Sequence, residues 1–170
     1  MPIDGCIASF AELTVDALPK YMKEMRAAMK RPRPLADFCK KGLGVKSIAC
    51  ELGRERDFSG CYVLIRDAEP FYVGISRGVI GRLRQHGTGK THFDASLAYR
   101  MACHRVTHEL TRDQAMKDPT FLKAFEEARE LLVGCDVASI EITNPLELYL
   151  FEAYCAMELD THRWNTFRTH

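Results

Sequence analysis

The sequence predicts a mixed α/β (α+β) domain in which a small sheet of three strands is flanked by helices. Three observations carry that expectation. Two short runs of apolar and β-branched residues, Cys61 to Arg66 and Phe71 to Ile75, are separated by the turn-like Asp67-Ala68-Glu69-Pro70, which is the pattern of a hairpin. A third run of the same character, Val137 to Ile142, lies far downstream. Elsewhere apolar residues recur at helical spacing, as in Phe121, Phe125, Ala128 and Leu132.

Taken in order, Ser9-Phe10-Ala11-Glu12 is a capping-box start, and Tyr21, Met25 and Met29 fall near one face of the helix it opens. Pro32 and Pro34 end that region. Leu43 to Gly53 reads as a short helix leading into the hairpin. Its Gly44 to Ala49 spacing resembles part of a helix-turn-helix, but only one helix is evident. Residues 1–58 thus form a helical N-terminal extension to a domain over 59–170, the two expected to make one compact unit.

Alternation places Tyr62 and Leu64 on one face of the first strand, so a phenol from each strand can project toward a shared cleft. After the hairpin, Val79, Ile80 and Leu83 form the apolar stripe of a short amphipathic helix that runs to His86. Arg82 and His86 stand one turn apart on the same face, an arrangement that suits either a site or a solvated surface. The stretch 104–136 reads as a helical insertion, with a helix starting at Asp118-Pro119. The last helix starts at Asn144-Pro145-Leu146-Glu147, with Asn144 as N-cap and Glu147 as its capping-box partner. From Leu148 to Met157 that helix is apolar around its circumference except for Glu152. A lone carboxylate there is costly to ionise in a buried setting, so Glu152 either has a function or reaches the surface at the helix edge.

Composition agrees with a single folded unit. A chain of 170 residues buries roughly 70% of its unfolded surface in one core. Seven cysteines, without a C-x-x-C pair, read as reduced thiols rather than a disulfide framework or a zinc site. No basic-plus-apolar leader and no apolar run of spanning length is present, so a cytoplasmic protein without a membrane partner is expected. The net charge of +1 hides an asymmetry: residues 1–103 hold 17 Lys/Arg against 11 Asp/Glu, a net of +6, and residues 104–170 hold 7 against 12, a net of −5. Lys20 to Lys46 is the densest basic segment and includes Lys40, Lys41 and Lys46. Such a segment fits a polyanion partner as well as an ordinary solvated face.

Two other patterns are weaker. Gly87-Thr88-Gly89-Lys90-Thr91 looks like the end of a phosphate-cradling loop, but it follows a helix, and Arg84 stands where an earlier glycine is needed. Lys90 and His92 on that glycine-rich loop remain candidates for phosphate contact. Cys103, His104 and His108 lack a fourth ligand for a metal.

Gly60-Cys61-Tyr62 and Tyr72-Val73-Gly74, with tyrosines ten residues apart, resemble the paired signature of the GIY-YIG nuclease family. In that family an arginine follows ten residues after the second tyrosine, which Arg82 matches, and restriction and homing members add a histidine one turn later, which His86 matches. A glutamate in a later helix and an asparagine a few turns on are matched by Glu152 and Asn165. The resemblance spans about Gly60 to Phe167. It departs at Cys61 and Val73, which replace isoleucines, at Ile75, where repair-type members carry lysine, and in the 104–136 insertion.

The resemblance implies a largely antiparallel sheet and a divalent-metal-dependent endonuclease acting on nucleic acid, DNA in preference to RNA. By carry-over Tyr62 is the leading general base or proton relay, assisted by His86. Tyr72 orients water or phosphate, Arg82 clamps the phosphate, Asn165 completes the catalytic set, and Glu152 holds one Mg²⁺ or Mn²⁺. Gly74, Lys90, His92, Lys40, Lys41 and Lys46 are the expected nucleic-acid contacts. The alternative is a non-catalytic module on the same fold that binds nucleic acid or a partner protein.

Overall fold

The computed structural model describes residues 2–167. Its centre is β2 (Gly60–Arg66), which pairs on one side with β3 (Glu69–Ser76) and on the other with β4 (Asp136–Glu141), both antiparallel. A two-residue strand, β1 (Arg33–Pro34), extends β4, so the sheet has four strands in the order β1-β4-β2-β3 rather than the three expected. The prolines that end the first helical region also explain why β1 escaped notice. Pro34 has no N–H to donate, and it is tolerated because β1 lies at the edge of the sheet.

Every residue of β2 except Arg66 is buried. Its alternation sends Tyr62 and Leu64 into one apolar cluster and Cys61, Val63 and Ile65 into another. On the Tyr62 side the cover comes from α3 (Val45–Glu51), α4 (Val79–Thr88), α5 (Ser96–Arg105) and α7 (Pro119–Val133). On the other side it comes from α2 (Leu18–Met29) and α8 (Pro145–Glu158). The chain enters α2 from the capped turn α1 (Phe10–Glu12) through a π-helical turn at Leu13–Ala17. The helix read from the first capping box therefore covers one face of the sheet, and the 104–136 stretch supplies α6 (Arg112–Ala115) and α7 to the other. The expected start of that insertion, residue 104, falls inside α5.

Asn144 caps α8 by accepting the Glu147 N–H at 3.1 Å. The reciprocal half of a capping box is absent among the described residues. The Glu147 carboxylate instead accepts the Tyr21 hydroxyl at 2.6 Å and so fastens α2 to the start of α8. No helix among the described residues is long and apolar enough to cross a membrane.

The hairpin turn is tighter than the sequence suggests. Arg66 pairs with Glu69, leaving Asp67 and Ala68 as a two-residue loop in which both have positive φ, 53° and 64°. That is the backbone of a type I′ turn. Pro70 already belongs to β3, and the register shift between Leu64 and Ile65 leaves Phe71 as the extra residue of a bulge. Beyond the bulge Tyr72 lies opposite Leu64 and Gly74 opposite Tyr62, so both tyrosines share a face. Ala68 carries a Cβ in the left-handed region, which costs about 1 kcal/mol. Ala68→Gly is expected to raise the Tm by about 2 °C, glycine's larger chain entropy offsetting part of the gain. A lower melting temperature would mean that this turn is not under strain.

Candidate active site

The proposed site starts at the β2–β3 pair. The Tyr62 ring fits against β3 because its partner there is glycine: a Cβ on Gly74 would lie 2.4 Å from the phenol oxygen. The hydroxyl then meets His86 Nε2 at 2.7 Å. Both side chains are enclosed, Tyr62 at 1% and His86 at 0% exposure. Tyr72 lies beside them, with ring centres 6.3 Å from Tyr62 and 6.1 Å from His86. It is only partly buried. Of the two phenols, Tyr72 is the one that solvent reaches.

Helix α4 carries His86 and Arg82, and its start is fixed from outside the helix. Its N-cap, Gly78, has no side chain, and Asp57 does the capping: one carboxylate oxygen accepts the Ile80 N–H at 2.8 Å, the other the Gly81 N–H at 3.0 Å. At the far end Gly87 brings the helix onto Cys39, where a Cβ would lie 2.4 Å from the thiol sulfur. Arg82 reaches across to the next element. Its guanidinium donates to the Asp94 carbonyl and the Ser96 hydroxyl, each at 2.8 Å, and to Gln85 at 3.3 Å.

Arg100 comes from α5, an element that the sequence did not signal. Its N-cap is Ala95, with no side-chain cap, and its buried residues run almost continuously from Leu97 to Ala102, which hides the helical period. The Arg100 guanidinium lies 5.7 Å from the centre of the Tyr72 ring. Its charge opposes the burial that pushes up the pKa values of both Tyr72 and Glu152. Glu152, half-buried on α8, is subject to those two influences alone, with no hydrogen bond contributing.

Burial also dominates the pKa shifts of Tyr62 and His86. It pushes the Tyr62 phenol well above its ordinary range, helped by Tyr72 and opposed by the charge of Arg82. It lowers His86 to about 3, and Arg82 and Arg100 add to that effect. The imidazole is therefore neutral, and its Nδ1 has no hydrogen-bond partner among the described residues. Histidine's ability to accept a proton from Tyr62 is held back by the same burial that fixes its position.

Three expected site residues have different surroundings. Asn165 is joined to the sheet: its Oδ1 accepts the Val73 N–H at 2.9 Å and its Nδ2 donates to the Val73 carbonyl at 2.7 Å. It satisfies the outer edge of β3 next to Tyr72 and is a positioning residue. Gly74 is buried beneath Tyr62, out of reach of a nucleic-acid backbone. His92 is 7% exposed and stacks against Phe93, with ring centres 3.9 Å apart. The loop between α4 and α5 is not loose, because Arg129 of α7 donates to the Gly89 carbonyl at 2.8 Å.

Lys90, Lys40, Lys41 and Lys46 are exposed, and Lys40 pairs with Asp37 at 3.0 Å. The turn that holds Lys40 to Lys46 abuts α4, since Arg84 donates to the Leu43 carbonyl and Val45 lies below Gly81. Among the described residues no three His, Cys, Asp or Glu side chains gather into a metal cluster. A cleft of about 650 Å³ lies elsewhere, between the N-terminal loop and the start of α8. Comparison with models of protein families, with curated proteins and with solved structures gives no match for this chain.

The burial of His86 gives a pH signature. The unfolded state takes up a proton near 6.5, whereas the folded state resists it down to about 3. Stability is therefore complete above about pH 6.5 and falls by about 1.4 kcal/mol per unit as the pH drops toward 3. His86→Phe is expected to flatten this part of the urea-denaturation profile, whatever its effect at neutral pH. An unchanged slope between pH 6.5 and 4 would place the proton uptake on other groups.

Proposed function

We propose that this chain is a divalent-metal-dependent endonuclease that hydrolyses phosphodiester bonds in nucleic acid, with DNA the favoured substrate. The observation that carries the reading is convergence. Two phenols from β2 and β3, an imidazole and a guanidinium from α4, a second guanidinium from α5 and a carboxylate from α8 act on one another across a single patch. These are the residue types that phosphodiester hydrolysis needs: proton acceptors for the attacking water, cations for the charge growing on the nonbridging oxygens, and an anionic anchor for a metal.

Glu152 fits a hard cation. Among the described residues it is a carboxylate engaged by no hydrogen bond, and Mg²⁺ or Mn²⁺ can bind through a single carboxylate while taking waters and phosphate as its other ligands. Bound there, the ion would supply charge neutralisation at the phosphate. The protein's own groups divide the remaining work. Tyr72, the partly exposed phenol, orients the water at the phosphate. The enclosed Tyr62–His86 pair, with Nε2 and the phenol oxygen 2.7 Å apart, holds β2 and α4 in place beside it. Tyr72 thus keeps the role that the family resemblance gives it, whereas Tyr62, at 1% exposure, has almost no surface from which to meet water and does not serve as its base.

Two measurements test the reading. Purified protein is expected to nick supercoiled DNA with Mg²⁺ or Mn²⁺ and not with EDTA. Glu152→Gln should lower single-turnover cleavage by at least a thousandfold while melting at the same or a higher temperature, since it removes a carboxylate whose ionised form is disfavoured by burial. Cleavage at the wild-type rate by that variant sinks the metal assignment, and binding without cleavage by the wild type favours the non-catalytic module. Separately, changing Lys40, Lys41 and Lys46 together to Gln should weaken DNA binding across sequences. Each lost phosphate contact should reduce the slope of log affinity against log salt by roughly 0.9. An unaltered slope makes this segment solvated surface only.

A further inference from the structure

Within the nuclease reading, on which this rests, we infer that the role expected of Arg82 has passed to Arg100: Arg100 is the phosphate clamp, and Arg82 is a positioning residue that holds Arg100 in place. The resemblance assigns the clamp to the arginine of α4. That assignment needs a guanidinium with donors to spare, because the planar fork recognises phosphate through paired N–H groups. Arg82 has committed three donor contacts to its own protein, two of them at 2.8 Å. Withdrawing them would leave the Asp94 carbonyl and the Ser96 hydroxyl short of a donor.

Those acceptors show what Arg82 does. Asp94 and Ser96 bracket the start of α5, so Arg82 on α4 fixes the helix that carries Arg100. Gly89, just before this segment, is held from the other side by Arg129. Arg100 itself closes no ion pair among the described residues. Its guanidinium faces the Tyr72 ring at 5.7 Å, and its charge acts on Tyr72, His86 and Glu152. A guanidinium with donors beyond the one that meets Tyr72, beside that partly exposed phenol and the half-buried carboxylate, is where a scissile phosphate would be neutralised.

The test separates the clamp from its support. DNA binding is measured against salt in a Glu152→Gln background, and single-turnover cleavage with Mn²⁺ in the otherwise wild-type protein, for Arg82→Ala, Arg100→Ala and Arg100→Lys. Thermal melting of each variant accompanies both. Arg100→Ala is expected to lower the salt slope by about 0.9 and to cut at least a hundredfold more slowly, with added guanidinium ion restoring part of the rate. Arg100→Lys should keep the slope and lose rate. Arg82→Ala should melt lower, keep the slope, and gain nothing from guanidinium. The double variant should cut no more slowly than the slower single one.

A lost slope and guanidinium rescue in Arg82→Ala, with neither in Arg100→Ala, overturns this assignment. Loss of slope in both makes them a shared clamp and overturns it as well. A wild type that shows no salt-dependent binding to nucleic acid overturns the nuclease reading and this inference together. A wild type that binds and cuts while the arginine results run contrary overturns this inference alone.

Discussion

A hydrogen bond between two side chains with almost no exposed surface holds the site in register. Tyr62 belongs to the central strand and His86 to the helix packed over it, so their 2.7 Å contact ties β2 to α4 at a fixed depth. In a low-dielectric interior such a bond is strong, and losing either partner leaves a buried polar group unmet. The rest of α4 is held to suit it. Asp57 caps one end, Gly87 lets the other end rest on Cys39, and Gly74 keeps the space that the phenol fills. With α4 fixed at both ends and at its middle, Arg82 has little freedom except to reach toward the start of α5.

The same burial decides the charge of the site. His86 is kept neutral by its enclosure and by two neighbouring guanidinium groups, so it adds no positive charge near neutral pH. Positive potential over the patch comes from Arg82 and Arg100. Glu152 is the counterweight. Burial disfavours its ionised form and Arg100 favours it.

Much of this was legible in the sequence wherever the signal was local. The hairpin, the third strand, the Asn144 cap and the α7 start all depend on neighbours within a few residues, and their side chains make the contacts expected of them. Tyr62, Tyr72, Arg82 and His86 were visible as an ordered set because they lie within one hairpin and the helix after it. What stayed hidden depends on distant parts of the chain. Strand β1 exists only because β4 is there to receive it, and a two-residue strand containing proline has no pattern of its own. Asp57 looks like any loop aspartate until α4 is placed above it. Glu147 looked like a capping-box partner because its spacing was right, yet Tyr21, 126 residues away, competes better for the carboxylate. Arg100 lies on a helix whose buried residues form a run rather than a stripe, so no periodicity pointed to it.

The stretch that interrupts the resemblance is, in this light, part of the site's construction. Helix α7 packs on α5 and sends Arg129 to the Gly89 carbonyl, while α4 sends Arg82 to Asp94 and Ser96. The connection from α4 to α5 is thereby grasped from two helices that meet nowhere else in sequence. Without α7, α5 would lose the apolar surface formed by Phe121, Phe125 and Ala128, and Arg100 would lose its fixed place beside Tyr72. A separable recognition module would leave the patch intact when removed. Here the supporting contacts run from α7 through the loop to α5 and end at the side chains of the patch itself, which makes the insertion a wall of the site and not an attachment to it.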